Sequence, residues 1–139
     1  MYSSIMVPID LAHIDKLDKS LTTATDLAKL YSATVCYVGV TASVPTTIAH
    51  SREEFEKKFK QFAQEQADKY DIKARSYVVT TPDPVTEIDD RLVEAVADVG
   101  ADLVVMSSHV PGVADHLHLM SSNASYIVKH TNVAVFVVR

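Results

Sequence analysis

The sequence predicts an α/β protein built on an open parallel sheet with helices on both faces. Short apolar runs alternate along the chain with stretches whose apolar residues recur at helical spacing. The runs are apolar at nearly every position rather than at every second one, as expected of a strand covered on both faces. The chain has 139 residues, 47% of them hydrophobic, which suits one core and one domain spanning residues 1–139.

Each element has its own signal. SIMVPID, residues 4–10, is a buried strand that ends in Asp10. Residues 15–31 form a helix, because Leu17, Leu21, Ala24, Leu27 and Ala28 fall on one face. ATVCYVGV, residues 33–40, is a second buried strand, and TASVPTTIAHS is a loop rich in Thr and Ser. Residues 52–70 form a second helix, whose stripe of Phe55, Phe59, Phe62, Ala63 and Ala67 packs on a sheet. IKARSYVVT, residues 72–80, is a third strand, and TPDP breaks the chain after it. Ile88, Leu92, Ala95, Val96 and Val99 mark a third helix that Gly100 terminates. ADLVVM, residues 101–106, is the fourth strand. A long polar interruption leads to a short helix, ASYIVKH, and to the fifth strand, VAVFVV, residues 133–138.

The charge balance excludes some functions. With 13 basic and 18 acidic residues the net charge is −5, and no basic run stands out. That argues against a nucleic-acid backbone or an anionic membrane as the main partner. Cys36, the single cysteine, lies in an apolar run and reads as a buried thiol. MYSSIMVPID lacks the basic and long apolar regions of a signal peptide, and no run approaches the length of a membrane span. The expectation is a cytoplasmic protein without direct membrane insertion.

In an open parallel sheet, ligands bind at the carboxyl ends of the strands where strand order reverses. Strand one ends in Pro8 and Asp10, strand two in Val40 and Thr41, and strand four in Met106, Ser107, Ser108 and His109. Asp10 is either an acceptor for ribose hydroxyls or a base amine, or the N-cap of the helix that follows. Ser121, Ser122 and Asn123 stand at the start of the last helix. Their backbone N–H groups form an anion site, or the side chains merely cap. His116 and His118 flank one leucine and could, with His109 or Asp115, ligate zinc. No second cysteine and no familiar zinc spacing supports that, so no metal site is expected. His13, His50 and His130 read as surface residues. No Walker lysine follows a glycine-rich loop, and no catalytic residue is assigned.

Four segments carry a family resemblance: IMVPID, VCYVGVTA, GADLVVMSSH and SSNASYIVKHTNVAVFVVR. On them the chain resembles the universal stress protein family over its whole length. The resemblance implies a five-stranded sheet in the order 3-2-1-4-5, a dimer, and binding of ATP or another adenine nucleotide, with Mg2+ as a companion of ATP. The family's nucleotide pattern is Gly, two residues, Gly, nine residues, Gly, then Ser or Thr. Its glycines fall here on Ser107, Val110 and Ser121, followed by Ser122 and Asn123, and ten residues (111–120) stand where the pattern has nine. All three glycines are therefore absent. SHVPG resembles a subgroup in which SH-x-P replaces the glycine-rich turn, with Gly112 available for a positive φ.

The resemblance implies that Asp10 and Val40 face the nucleoside with Pro8 and Met106 beside them. Ser107, Ser108, His109, Val110 and Ser121 to Asn123 then line the phosphates. The function implied is that of a dimeric stress-response regulator open to a regulatory protein partner such as a transporter. VAVFVVR is apolar on both faces and would be a bare edge, so the dimer is expected to pair through this C-terminal strand. The alternatives are a ligand-free dimeric adaptor and a weak ATPase, for which His109 and Asp10 are the only candidates to position water.

Overall fold

The structure is a computed structural model, and it describes residues 1–45, 49–107 and 123–139. The elements follow as β1 (Ser4–Pro8), a 3-10 helix (Leu11–Lys16), α1 (Asp18–Tyr31), β2 (Thr34–Ala42), α2 (Arg52–Tyr70) and β3 (Lys73–Thr81). Then come α3 (Pro84–Asp98), β4 (Leu103–Ser107), α4 (Asn123–His130) and β5 (Ala134–Val138). The strands form one sheet in the order β3-β2-β1-β4-β5, and every neighbouring pair is parallel. Fold class and strand order are as the sequence predicts.

Alternation along the strands divides the core into two layers. Ile5 and Val7 of β1, Val35 and Tyr37 of β2, and Leu103 and Val105 of β4 meet Leu21 and Ala24 of α1 and Phe55, Phe59 and Phe62 of α2. Met6, Cys36, Val38, Val104 and Met106 point the other way, to Leu92, Ala95 and Val96 of α3 and Ala124 and Ile127 of α4. The three inner strands are thus buried on both faces. Cys36 is fully buried, and burial pushes its thiol pKa up against the opposing pull of Arg75.

Local chemistry sets the helix ends. Ser51 caps α2 by accepting the Glu54 N–H at 3.1 Å, and the Glu54 carboxylate accepts the His50 N–H at 2.9 Å. Asp83 caps α3, with Pro84 in its first turn. Gly100, at φ +67°, turns the chain out of α3 into β4. At the amino ends of the central strands, Asp102 ties β4 to β1. Its N–H donates to the Ser4 carbonyl at 3.0 Å. Its carboxylate accepts from the Ser4 N–H at 3.0 Å, the Ser3 N–H at 2.9 Å and the Ser3 hydroxyl at 3.0 Å.

One boundary departs from expectation. The helix read over residues 15–31 is split: Leu17 adopts φ −102°, ψ 2°, and α1 starts at Asp18 after the separate 3-10 helix. Leu17 is buried in the layer shared with α1 and α2, and the bend lets both short segments lie on the sheet.

Candidate nucleotide crevice

Strand order reverses between β1 and β4, and the pairing of these two strands stops short for a reason written in β1. Its odd-numbered residues bond toward β2: the Ser3 carbonyl accepts from the Thr34 N–H, and the Ile9 N–H donates to the Val38 carbonyl at 2.8 Å. Its even-numbered residues face β4, as the Asp102–Ser4 bond shows. Pro8 is even-numbered and has no N–H. The β1–β2 register continues to Pro8 and Val38 and the β4–β5 register to Ser107 and Val138, whereas β1 and β4 are paired only at Ile5–Leu103 and Met6–Val104. The carboxyl halves of the two strands run on without a ladder between them. Pro8 therefore helps to end the pairing at the point where a ligand would enter.

Asp10 stands just beyond, half-buried. Its Oδ1 accepts the Ala12 N–H at 3.0 Å, which makes it the N-cap of the 3-10 helix. Its Oδ2 lies 2.8 Å from Nδ1 of His13. The capping role is therefore present. Each ionised carboxylate oxygen can accept a second hydrogen bond, so the acceptor role is compatible with it.

The remaining predicted residues divide. Val40 is half-buried near the carboxyl end of β2, against the α3 and α4 layer. Met106 is fully buried in that same layer, so its side chain serves the core. Ser107 ends β4 and is half-buried. Pro8, Asp10, Val40, Met106 and Ser107 all lie at or just beyond the carboxyl ends of β1, β2 and β4. Asn123 begins α4, in keeping with the helix start the sequence predicts. Ser108, His109, Val110, Ser121 and Ser122 lie outside the described residues, as do Gly112, Asp115, His116 and His118. Among the described residues, no group of three or more His, Cys, Asp or Glu side chains could hold a metal ion.

His13, expected at the surface, is partly exposed, and its ring also lies against Asp10, a contact that residue type does not announce. The apolar residues of its segment recur with a three-residue period. In a 3-10 helix, side chains three apart eclipse one another. Leu11 and Ile14 pack against the α1 and α2 layer in which Leu17 is buried. His13 itself has φ −132°, ψ 36°, a kink inside the 3-10 segment. Its backbone N–H also donates to the Asp10 carbonyl, at 3.0 Å.

A shallow depression of about 370 Å³, lined by Lys29, Ser32, Asp71 and Lys73 among others, lies at the amino ends of β2 and β3, where α1 and α2 end. It is at the other end of the strands from Pro8 and Asp10.

The fold defines a doubly wound α/β protein whose strand order reverses between β1 and β4. The universal stress protein family profile matches residues 1–139, and the chain belongs to that family. It is 26% identical over 145 residues to universal stress protein G of Shigella flexneri, with 100% of both chains covered. Among solved structures, a universal stress protein from Archaeoglobus fulgidus superposes with a TM-score of 0.69 at 19% identity, covering 100% of both chains. An Archaeoglobus fulgidus universal stress protein in complex with dAMP gives a TM-score of 0.68 at 18% identity, covering 99% of this chain and 98% of that one. No helix among the described residues is long and apolar enough to cross a membrane.

Proposed function

We propose that this protein is a dimeric, non-catalytic regulator that binds an adenine nucleotide at the carboxyl ends of β1 and β4. The carrying observation is the unladdered gap between those strands with the Asp10 carboxylate at its mouth. The dAMP complex of a family member with the same fold supports the ligand class. Asp10 accepts donors from the nucleoside, and the half-buried Val40 offers an apolar wall to the base. The phosphates lie against the start of α4, whose N–H groups and dipole favour an anion. ATP, with Mg2+ on its phosphates, is one candidate beside AMP and ADP.

Two copies pair through β5. This edge strand carries Phe136 and Val137, which are 46% and 38% exposed, and a bare apolar edge invites a partner strand. The pair then presents its nucleotide state to a regulatory protein, with transporters among the candidate classes.

Calorimetric titration of the purified protein with AMP, dAMP, ADP and ATP, alongside native mass spectrometry of the protein as isolated, tests the ligand. Binding of at least one nucleotide at micromolar to millimolar concentration is expected. Absence of binding at millimolar ligand replaces this reading with that of a ligand-free dimeric adaptor, which the loss of all three motif glycines favours. Sedimentation tests the pairing: a monomer at micromolar concentration refutes it.

A further inference from the structure

Asp10 alone is a short side chain with free rotation about two bonds, and a ligand would have to order it. The structure instead shows it restrained at both oxygens, by the Ala12 N–H at 3.0 Å and by His13 at 2.8 Å. An ionised carboxylate only accepts, so Nδ1 of His13 must carry the proton that it donates to Oδ2. The row of Leu11, Ile14 and Leu17 anchors the 3-10 helix to the core, and the kink at His13 accompanies a ring turned back onto Asp10.

We propose that His13 is a positioning residue for the nucleoside end of the crevice, holding the Asp10 carboxylate in one orientation by donating Nδ1–H to Oδ2. This rests on the nucleotide reading above. The ordering cost that a ligand would otherwise meet is met in folding. Each Asp10 oxygen keeps an acceptor position for a hydroxyl or amine of the nucleoside. His13 makes no ligand contact in this scheme. It acts through Asp10, as the outer partner of a metal-binding histidine fixes its ring.

The test uses the full chain with AMP as the probe. His13→Ala removes the donor, and His13→Asn places an amide N–H where Nδ1 stood. Affinity is expected to fall about 3- to 10-fold in His13→Ala, the worth of one hydrogen bond. It is expected to return to within about 2-fold of the unmodified protein in His13→Asn. Nitrogen-15 spectra of histidine-labelled protein supply a readout independent of affinity. The His13 ring should show the Nδ1–H tautomer before ligand is added and keep it when AMP is bound.

Unmodified protein that binds AMP, with His13→Ala binding it equally well, overturns the role of His13 and leaves the nucleotide reading standing. So does an Nε2–H tautomer with Nδ1 unprotonated. Affinity in His13→Asn as low as in His13→Ala shows that ring packing matters and the donor does not, which also overturns it. Failure of the unmodified protein to bind AMP at millimolar concentration overturns both readings together.

Discussion

Asp102→Ala removes the acceptor that joins the amino ends of the two central strands. Three donors lose their partner: the Ser3 N–H, the Ser3 hydroxyl and the Ser4 N–H. Ser3 is exposed, so water replaces the carboxylate for its two donors, and each loss costs about 0.5 kcal/mol. Ser4 is half-buried and loses a charged acceptor, at about 1.5 kcal/mol. The expected destabilisation is about 2.5 kcal/mol, which for a chain of this size lowers Tm by roughly 7–10 °C. Urea titration at neutral pH should show the midpoint moving with an unchanged slope.

The same site gives a pH signature. Burial alone would raise the pKa of the Asp102 carboxyl. The hydrogen bonds from Ser3 and Ser4 overcome that and hold it below the ordinary carboxylate value. A depressed folded pKa means that the unfolded chain binds the proton more tightly. The stabilisation is complete above the unfolded value and is lost as pH falls through the folded one. The stability gap between the unmodified protein and Asp102→Ala should therefore narrow in acid. A gap below about 0.5 kcal/mol at neutral pH, or one that stays constant down to acid unfolding, refutes the account.

Three further outcomes are expected. At Gly39 an added Cβ would lie 2.6 Å from Cε2 of Phe59, which is fully buried beside Phe55 and Phe62, so Gly39→Ala should cost about 1–3 kcal/mol by urea titration. Asp10→Ala removes a helix cap and should lower stability by about 1 kcal/mol, while AMP affinity falls at least as far as in His13→Ala. Pro8→Val restores an N–H on the β4 side of β1. Hydrogen exchange should find the new amide protected and calorimetry should find AMP binding weakened, and an unprotected amide would show that Pro8 does not limit the ladder.

Most of the fold was legible because the inner strands are covered on both faces and so leave an unbroken apolar record. Met6 and Val7 face opposite layers, yet the sequence needs no alternation to accommodate both. The edge strands were legible for a different reason, their place after a helix stripe, since β3 and β5 are only partly buried. Strand order came from resemblance, as apolar runs carry no record of their neighbours. The split before α1 was missed because Leu17 and Leu21 continue a helical stripe across it, and only the shorter spacing of Leu11, Ile14 and Leu17 records the 3-10 turn. At the site, residue type left Asp10 between cap and ligand. The Asp10–His13 bond depends on a backbone kink that no residue type announces.

The strand order also has a consequence for the order of synthesis. β1 is made first but takes its central place, third from either edge of the sheet, only when β4 and β5 are in place, so a nascent chain can assemble just the β3-β2-β1 half. Until the ribosome delivers Leu103–Ser107, roughly 5–20 s later, the inner edge of β1 is a temporary outer edge with apolar residues on both faces. Pro8 shortens that exposed edge by one donor at its far end, so the residue that later limits the β1–β4 ladder also gives passing strands less to pair with while the chain is incomplete.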